Sequence, residues 1–284
     1  MADEKLIKDL ELSDKTFNEF RDFIYELTGL YFSVEKRIIL TRKLKNRIVK
    51  LGLNSFEQYL HILRTQNIKQ EINFLFEAIT INESYFFRNE LQFHSFYKFI
   101  IPDILGSKAN DNIIRVWSSA CSTGEEAYTI AMIFQEKIKP LFPELQLQVI
   151  GSDINNSSLE FARKGTYQHY SIQNVPELYL KKYFLQQGNN YIVSDEIKKL
   201  VRFININIYN DKQINNVRNC DVIFSCNVMI YYDLSSRKII VNNLYNSLNK
   251  NGYLFIGYTE SLHGISKSFK LVHLPQALAY KKEY

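Results

Sequence analysis

The chain has 284 residues, 46% hydrophobic and 23% charged, enough for one large core or two of ordinary size. With 20 Phe and 19 Tyr against 10 Gly and 5 Pro, it is neither collagenous, low-complexity nor broadly disordered. A formal charge of +5 does not by itself argue for a nucleic-acid partner.

The first residues, MADEKLIKDLELSDK, mix charges and contain no apolar run of signal-peptide length. No segment approaches the ~18 apolar residues of a membrane span. Cys121, Cys220 and Cys226 are odd in number and lack C-x-x-C spacing, which predicts neither a disulfide framework nor a zinc site. A reduced, cytoplasmic protein without direct membrane insertion is expected.

Residues 1–80 read as an all-helical domain. Phe17, Phe20, Ile24 and Leu27 recur at helical spacing, a core stripe. Ser33, Glu35 and Lys36 suit a helix entrance. Seven of the fifteen positions from 36 to 50 are basic and none is acidic. Within that segment Leu40, Leu44 and Ile48 face inward, while Lys36, Lys43, Arg47 and Lys50 cluster on another face. Gly52 stops this helix, Asn54-Ser55 caps the next, and Phe56, Leu60 and Leu63 repeat along it. Most charge runs are solvated helix faces, and composition alone says no more of this one.

From about residue 110 the pattern changes to short apolar runs separated by helix-length stretches. IIRVWS (113–118), LQVIGS (147–152), VRFINI (201–206), DVIFSC (221–226) and YLFIGY (253–258) predict a mostly parallel sheet covered on both faces. FKLVH (269–273) and ALAYKK (277–282) lie close enough to form a terminal antiparallel hairpin at its edge.

The first strand-to-helix junction carries small residues, Ala120, Ser122, Thr123 and Gly124, before a helix opening at Glu125. Small residues let backbone approach a ligand closely. Two carboxylates, Glu125 and Glu126, occupy a helix N-terminus that a phosphate would want clear. Glu125 alone reads best as support for the helix dipole. Asp153, ending the second run, suits ribose hydroxyls, although it also suits a helix cap. Together these features favour a cationic nucleoside without phosphates, which points to S-adenosylmethionine (SAM).

Five segments carry a resemblance to a known family: ITINESYFFRNELQF (79–93), WSSACSTGEEAYTIAM (117–132), GSDINNSSLEFARKGTY (151–167), CDVIFSCNVMIYYD (220–233) and NGYLFIGYTESL (251–262). In order and spacing the sequence resembles the chemotaxis receptor methyltransferases, the CheR family of SAM-dependent protein-glutamate O-methyltransferases. The resemblance implies an α/β fold: a small N-terminal helical bundle followed by a Rossmann-like methyltransferase domain (81–284) with a mostly parallel seven-stranded sheet. A small β subdomain is inserted at about 166–200.

It also implies the site. Asn82, Ser84 and Arg88 of the joining segment, Glu126 and Asp153, Asn207 and Ile208, and Cys226 and Asn227 match cofactor-binding positions. Tyr231 matches a tyrosine near the transferred methyl. Arg88, a charge set after two aromatics, is also expected to be catalytic, holding the incoming carboxylate. Phe86 and Phe87 read as core packing. SAM is the implied cofactor, with S-adenosylhomocysteine (SAH) as product and no metal. The implied partner is the cytoplasmic helical domain of a chemotaxis receptor, docked by Lys36, Arg42, Lys43, Arg47 and Lys50 and methylated by a monomeric enzyme that has no nucleic-acid substrate. The turn within FLQQGNNYIVSD (184–195) is shorter than the Gly-rich loop of members that grip a receptor's C-terminal pentapeptide, which predicts independence of that peptide.

One position departs from the family pattern: Cys226 stands where an arginine is usual, and a thiol supplies neither its charge nor its forked donors. A module that only binds SAM or SAH is therefore one rival reading. A nucleic-acid methyltransferase is another, but there is no N-P-P-Y-like motif after the fourth run. The absence of G-x-G-x-x-G argues against a dinucleotide oxidoreductase.

Overall fold

A computed structural model describes residues 10–66, 68–108 and 112–284. Residues 1–9 of the N-terminal segment read above lie outside the described residues. The chain divides into two compact units, Met1–Ile81 with Tyr231–Asp233, and Asn82–Ile230 with Leu234–Tyr284.

In the helical unit, the Ser13 hydroxyl accepts the Thr16 N–H at 3.1 Å and opens α1 (Asp14–Thr28), which ends at Gly29. A 3-10 turn, Val34–Lys36, leads into α2 (Arg37–Lys50). Ser55 caps α3 (Phe56–Thr65) through the Gln58 N–H, and α4 (Lys69–Ile79) follows. Phe17, Phe20 and Ile24 are buried as the spacing predicts, as are Leu40, Leu44, Ile48, Phe56, Leu60 and Leu63. Leu27 is only half-buried; Phe23 and Thr28 close that end of the stripe instead. Tyr231–Asp233 groups with this unit: the Tyr31 N–H donates to Tyr231 O at 3.2 Å, and Leu30 and Tyr232 form an antiparallel bridge.

The larger unit is built on a seven-stranded sheet. Its strands are β1 (Ile113–Ser118), β2 (Gln146–Asp153), β6 (Val201–Asn205), β7 (Cys220–Ser225), β8 (Leu248–Ile256), β9 (Phe269–His273) and β10 (Leu278–Lys282). Their order is β6-β2-β1-β7-β8-β10-β9. The pairings from β6 to β8 are parallel, and β10 joins antiparallel with β9 at the edge. Connections run one way from β1 through β2 to β6 and the other way through β7 to β8. The strand order therefore reverses between β1 and β7, and ligands of such sheets bind in the crevice at that reversal.

Helices cover both faces: α5 (Glu90–Ser95) continued by a π turn at Phe96–Ile100 into α6 (Ile101–Ser107), α7 (Glu125–Ile133), α8 (Asn156–Lys164), α12 (Asp211–Ile214) and α13 (Leu234–Ser247). Aromatic rings fill the space between. Phe224 stacks on Phe255 at 4.9 Å, with Phe93 and Phe96 against it at 5.5 and 5.6 Å.

Between α8 and β6 lies a second small sheet, β3 (Thr166–Tyr167), β4 (Phe184–Gln187) and β5 (Asn190–Val193), antiparallel in the order β3-β5-β4. Three short helices accompany it, α9 (His169–Ile172), α10 (Glu177–Tyr183) and α11 (Asp195–Lys198). Gln187 pairs with Asn190, so only Gly188 and Asn189 form the hairpin turn. Among the described residues, no helix is long and apolar enough to cross a membrane.

Candidate active site

The turn after β1 is drawn over the end of β2. The Cys121 N–H donates to Ser152 O at 2.8 Å, and the Tyr167 hydroxyl ties Thr123 O to the small sheet at 2.6 Å. Gly124 has a φ of 96°, and a Cβ there would stand 2.8 Å from Ala162 Cβ and 3.0 Å from Phe203 Cζ. Only glycine meets both the conformation and the space. At the end of β2, Asp153 Oδ2 accepts the Ser122 N–H and Oδ1 the Asn155 N–H, each at 2.9 Å. Burial pushes this carboxyl up against the pull of those bonds. Each oxygen keeps a lone pair for a ligand hydroxyl.

The two glutamates that open α7 are not equivalent. Glu125 is 1% exposed and is enclosed by the hydroxyls of Thr123, Ser171 and Ser84. It is a structural carboxylate. Glu126 is half-buried and accepts the Ser118 hydroxyl at 2.6 Å. Burial pushes it up to about 7, opposed by the Ser118 bond, the Arg88 charge and the Cys226 thiol, and assisted by Glu260.

The joining segment reaches the same place. Asn82 O accepts the Ser122 hydroxyl at 3.2 Å. Phe86 is fully buried, with ring contacts of 4.8 Å to Tyr167 and 5.0 Å to Phe184, and Phe87 lies 4.9 Å from Tyr179. Phe87 has a φ of 58°, a costly conformation for a bulky side chain. It is enforced by bonds from Phe86 N–H to Ser171 O at 2.9 Å and from Phe87 N–H to Thr129 Oγ1 at 3.1 Å. Arg88 follows directly, half-buried, its Nη1 donating to Glu83 O at 3.1 Å and its guanidinium 5.5 Å over the Tyr85 ring.

Beyond β7, the Cys226 thiol donates to Gln92 Oε1 at 3.3 Å, and Gln92 Nε2 donates to Ile256 O at 2.6 Å. Burial, with Glu126 and Glu260 nearby, pushes the thiol well up, so it is a weak donor and not a reactive thiolate. Asn227 Oδ1 is buried without a hydrogen-bond partner, and so is Ser119 Oγ at the end of β1. Beside β6, Asn207 Oδ1 accepts the Tyr209 N–H at 3.0 Å, and Ile208 O accepts from Asn243 at 3.0 Å. Tyr231 ends the 3-10 turn Met229–Tyr231 and groups with the helical unit.

Asn82, Ser84, Arg88, Glu126, Asp153, Cys226 and Asn227 thus gather at the carboxyl ends of β1, β2 and β7. Sequence reasoning missed Ser118, Ser119, Gln92 and Glu260. All four lie in the family segments; only their burial and partners single them out.

Arg47, expected among the docking cations, already has a partner. Its guanidinium is paired within the bundle to Glu71, with Nε to Oε2 at 2.9 Å, and lies 4.8 Å over the Phe74 ring; the Tyr59 hydroxyl joins Glu71 at 3.3 Å. Heptad-like spacing shows which face a residue shares, not that a partner 24 residues away has claimed its charge. Arg42 and Lys50 are exposed, Lys43 is half-buried, and Lys36 lies 5.5 Å over the Phe32 ring and 5.8 Å over that of Tyr231.

The crevice fits SAM. A carboxylate beside the β1/β7 reversal suits an ammonium, a strand-end aspartate with spare lone pairs suits ribose hydroxyls, and two unpartnered buried oxygens await donors or ordered water. Residues 82–278 match the SAM binding domain of the CheR methyltransferases. The chain belongs to the CheR family. Residues 15–80 match the all-alpha domain of the same methyltransferases. Chemotaxis protein methyltransferase 2 of Vibrio cholerae is 34% identical over 98% of this chain and 96% of its own length. The Borreliella burgdorferi chemotaxis protein methyltransferase is 31% identical over 85% and 86%, and that of Escherichia coli 30% over 92% and 90%. As a CheR-family member, the protein is a SAM-dependent methyltransferase.

Proposed function

We propose that the protein methylates glutamate side chains on the cytoplasmic helical domain of chemotaxis receptors, in support of sensory adaptation. The observation that carries this reading is the half-buried Glu126 carboxylate beside the β1/β7 reversal, in a chain similar to chemotaxis protein methyltransferases along nearly its whole length.

SAM, when bound, supplies a methyl group on a positively charged sulfur. Glu126 holds the methionine ammonium, Asp153 takes the ribose hydroxyls, and Asn82, Ser84, Arg88, Asn207, Ile208, Cys226 and Asn227 complete the cofactor's surroundings. An acceptor glutamate of ordinary pKa is already ionised at neutral pH, so no residue has to remove a proton. Catalysis by this chain is then positioning and exclusion of water, worth several kcal/mol. Arg88 orients the incoming carboxylate, and its place after the strained Phe87 fixes where the guanidinium starts. Tyr231 keeps the role that the family resemblance gives it, beside the transferred methyl.

The receptor's glutamate-rich helices suit a basic partner. Lys36, Arg42, Lys43 and Lys50 supply it, with Arg42 one turn from Ile38, which is 78% exposed. The two-residue turn at Gly188–Asn189 supports independence of a receptor pentapeptide. Mass spectrometry of receptor fragments after incubation with SAM tests the proposal: one methyl per modified glutamate is expected, and unmodified fragments beside intact SAM binding would refute it.

A further inference from the structure

Four main-chain N–H groups converge on one side chain beyond β8. Glu260 Oε2 accepts from Gly257 at 2.6 Å and Asn227 at 2.9 Å; Oε1 accepts from Val228 at 2.9 Å and Met229 at 2.7 Å. Asn227 sits in the left-handed region with a φ of 60°, which asparagine tolerates far better than most residues. That turn swings successive N–H groups to one side, the geometry of an anion-binding nest. Here the nest is filled by the chain's own carboxylate.

The closure is tight. A Cβ on residue 257 would stand 2.8 Å from Glu260 Oε2 and 2.9 Å from Asn227 N, so the loops after β7 and β8 approach this closely only with glycine there. Glu260 spends both oxygens on main chain. What it fixes is the direction of Asn227, whose Oδ1 is buried and unpartnered.

We propose that Glu260 is a positioning residue: its carboxylate clamps the loop after β7 so that Asn227 presents its amide to the SAM crevice. The proposal rests on the reading of Asn227 as a cofactor contact. Glu260→Gln keeps the size, but its amide NH2 must face two N–H donors whichever way it turns, which opens one side of the clamp. Asn227→Gly keeps the left-handed backbone and the nest and removes only the side chain.

SAH binding by calorimetry in the wild type, E260Q, N227G and the double variant tests it, with thermal midpoints recorded alongside. Each single variant is expected to weaken SAH roughly tenfold, and E260Q to add less than about twofold on the N227G background. Equal loss in both backgrounds, or a folded E260Q that binds as wild type, would overturn the proposal. If N227G binds as wild type, Asn227 leaves the cofactor site and the proposal falls with it; if the wild type binds no SAH, the functional reading fails first. Should E260Q not fold, Glu260→Asp keeps the charge in the nest on a shorter arm. It is expected to show the same coupling to Asn227 at smaller amplitude, and fully additive losses would again overturn the proposal.

Discussion

Glu125 and Glu126 are consecutive residues with separate tasks: Glu125 is closed in by three hydroxyls, whereas Glu126 accepts the Ser118 hydroxyl and stays half-exposed beside the β1/β7 reversal. Their substitutions should separate accordingly. Glu125→Ala leaves buried hydroxyls without their acceptor and should cost about 1–3 kcal/mol of stability, read as a drop of several degrees in thermal midpoint. Glu126→Gln should leave the midpoint nearly unchanged and weaken SAM roughly ten- to hundredfold by calorimetry. The reverse pattern would exchange their roles.

The Glu126 carboxyl is pushed up to about 7, and an ammonium is held by the ionised form. SAM affinity should therefore fall as pH drops below about 7, and binding at pH 7 should release about half a proton. Calorimetry in buffers of different ionisation enthalpy counts that proton. On folding the sign is opposite: the folded state holds the proton more tightly than the unfolded chain. The stability this supplies is present below the ordinary carboxyl range and is lost as pH rises through about 7.

Cys226 leaves Glu126 facing a thiol where the family usually places an arginine. Cys226→Arg would set a permanent positive charge against that carboxylate and lower its pKa. The midpoint of the pH dependence of SAM binding should then move below 7. An unmoved midpoint would mean that the arginine points away from Glu126.

Much of this was readable without coordinates, and what was not has a common cause. The strands stood out because each is a short apolar run between helices, and β1 coincides with IIRVWS. The cap at Ser55 and the stop at Gly52 are local chemistry. Leu27, the Arg47–Glu71 pair and the Glu260 clamp are not local: the last joins residues 33 apart, and no periodicity encodes it. The π turns at Phe96–Ile100 and Phe134–Ile138 each shift helical register by one residue, which an averaged hydrophobic pattern hides.

Arg47 and Arg42 lie on one helix with different work. Arg47→Ala strands Glu71, whose side chain is 6% exposed, and should destabilise the helical unit by about 3 kcal/mol or more. Reversing Arg42 and Lys43 to Glu should leave folding intact, spare SAM binding and raise receptor KM several-fold, an effect that weakens with added salt. An unchanged receptor KM would remove the docking role.

Arg88→Ala should cut turnover about a hundredfold through lost orientation while changing SAM affinity far less. Equal losses in both would assign Arg88 to the cofactor alone.

Carboxyl methylation of a receptor leaves a methyl ester on it. The most direct measurement is transfer of label from methyl-labelled SAM to receptor-containing membranes, followed by treatment with base. A methyl ester hydrolyses, so label released as methanol is the predicted result. Label that survives base, or none transferred by a protein that binds SAM, would contradict it.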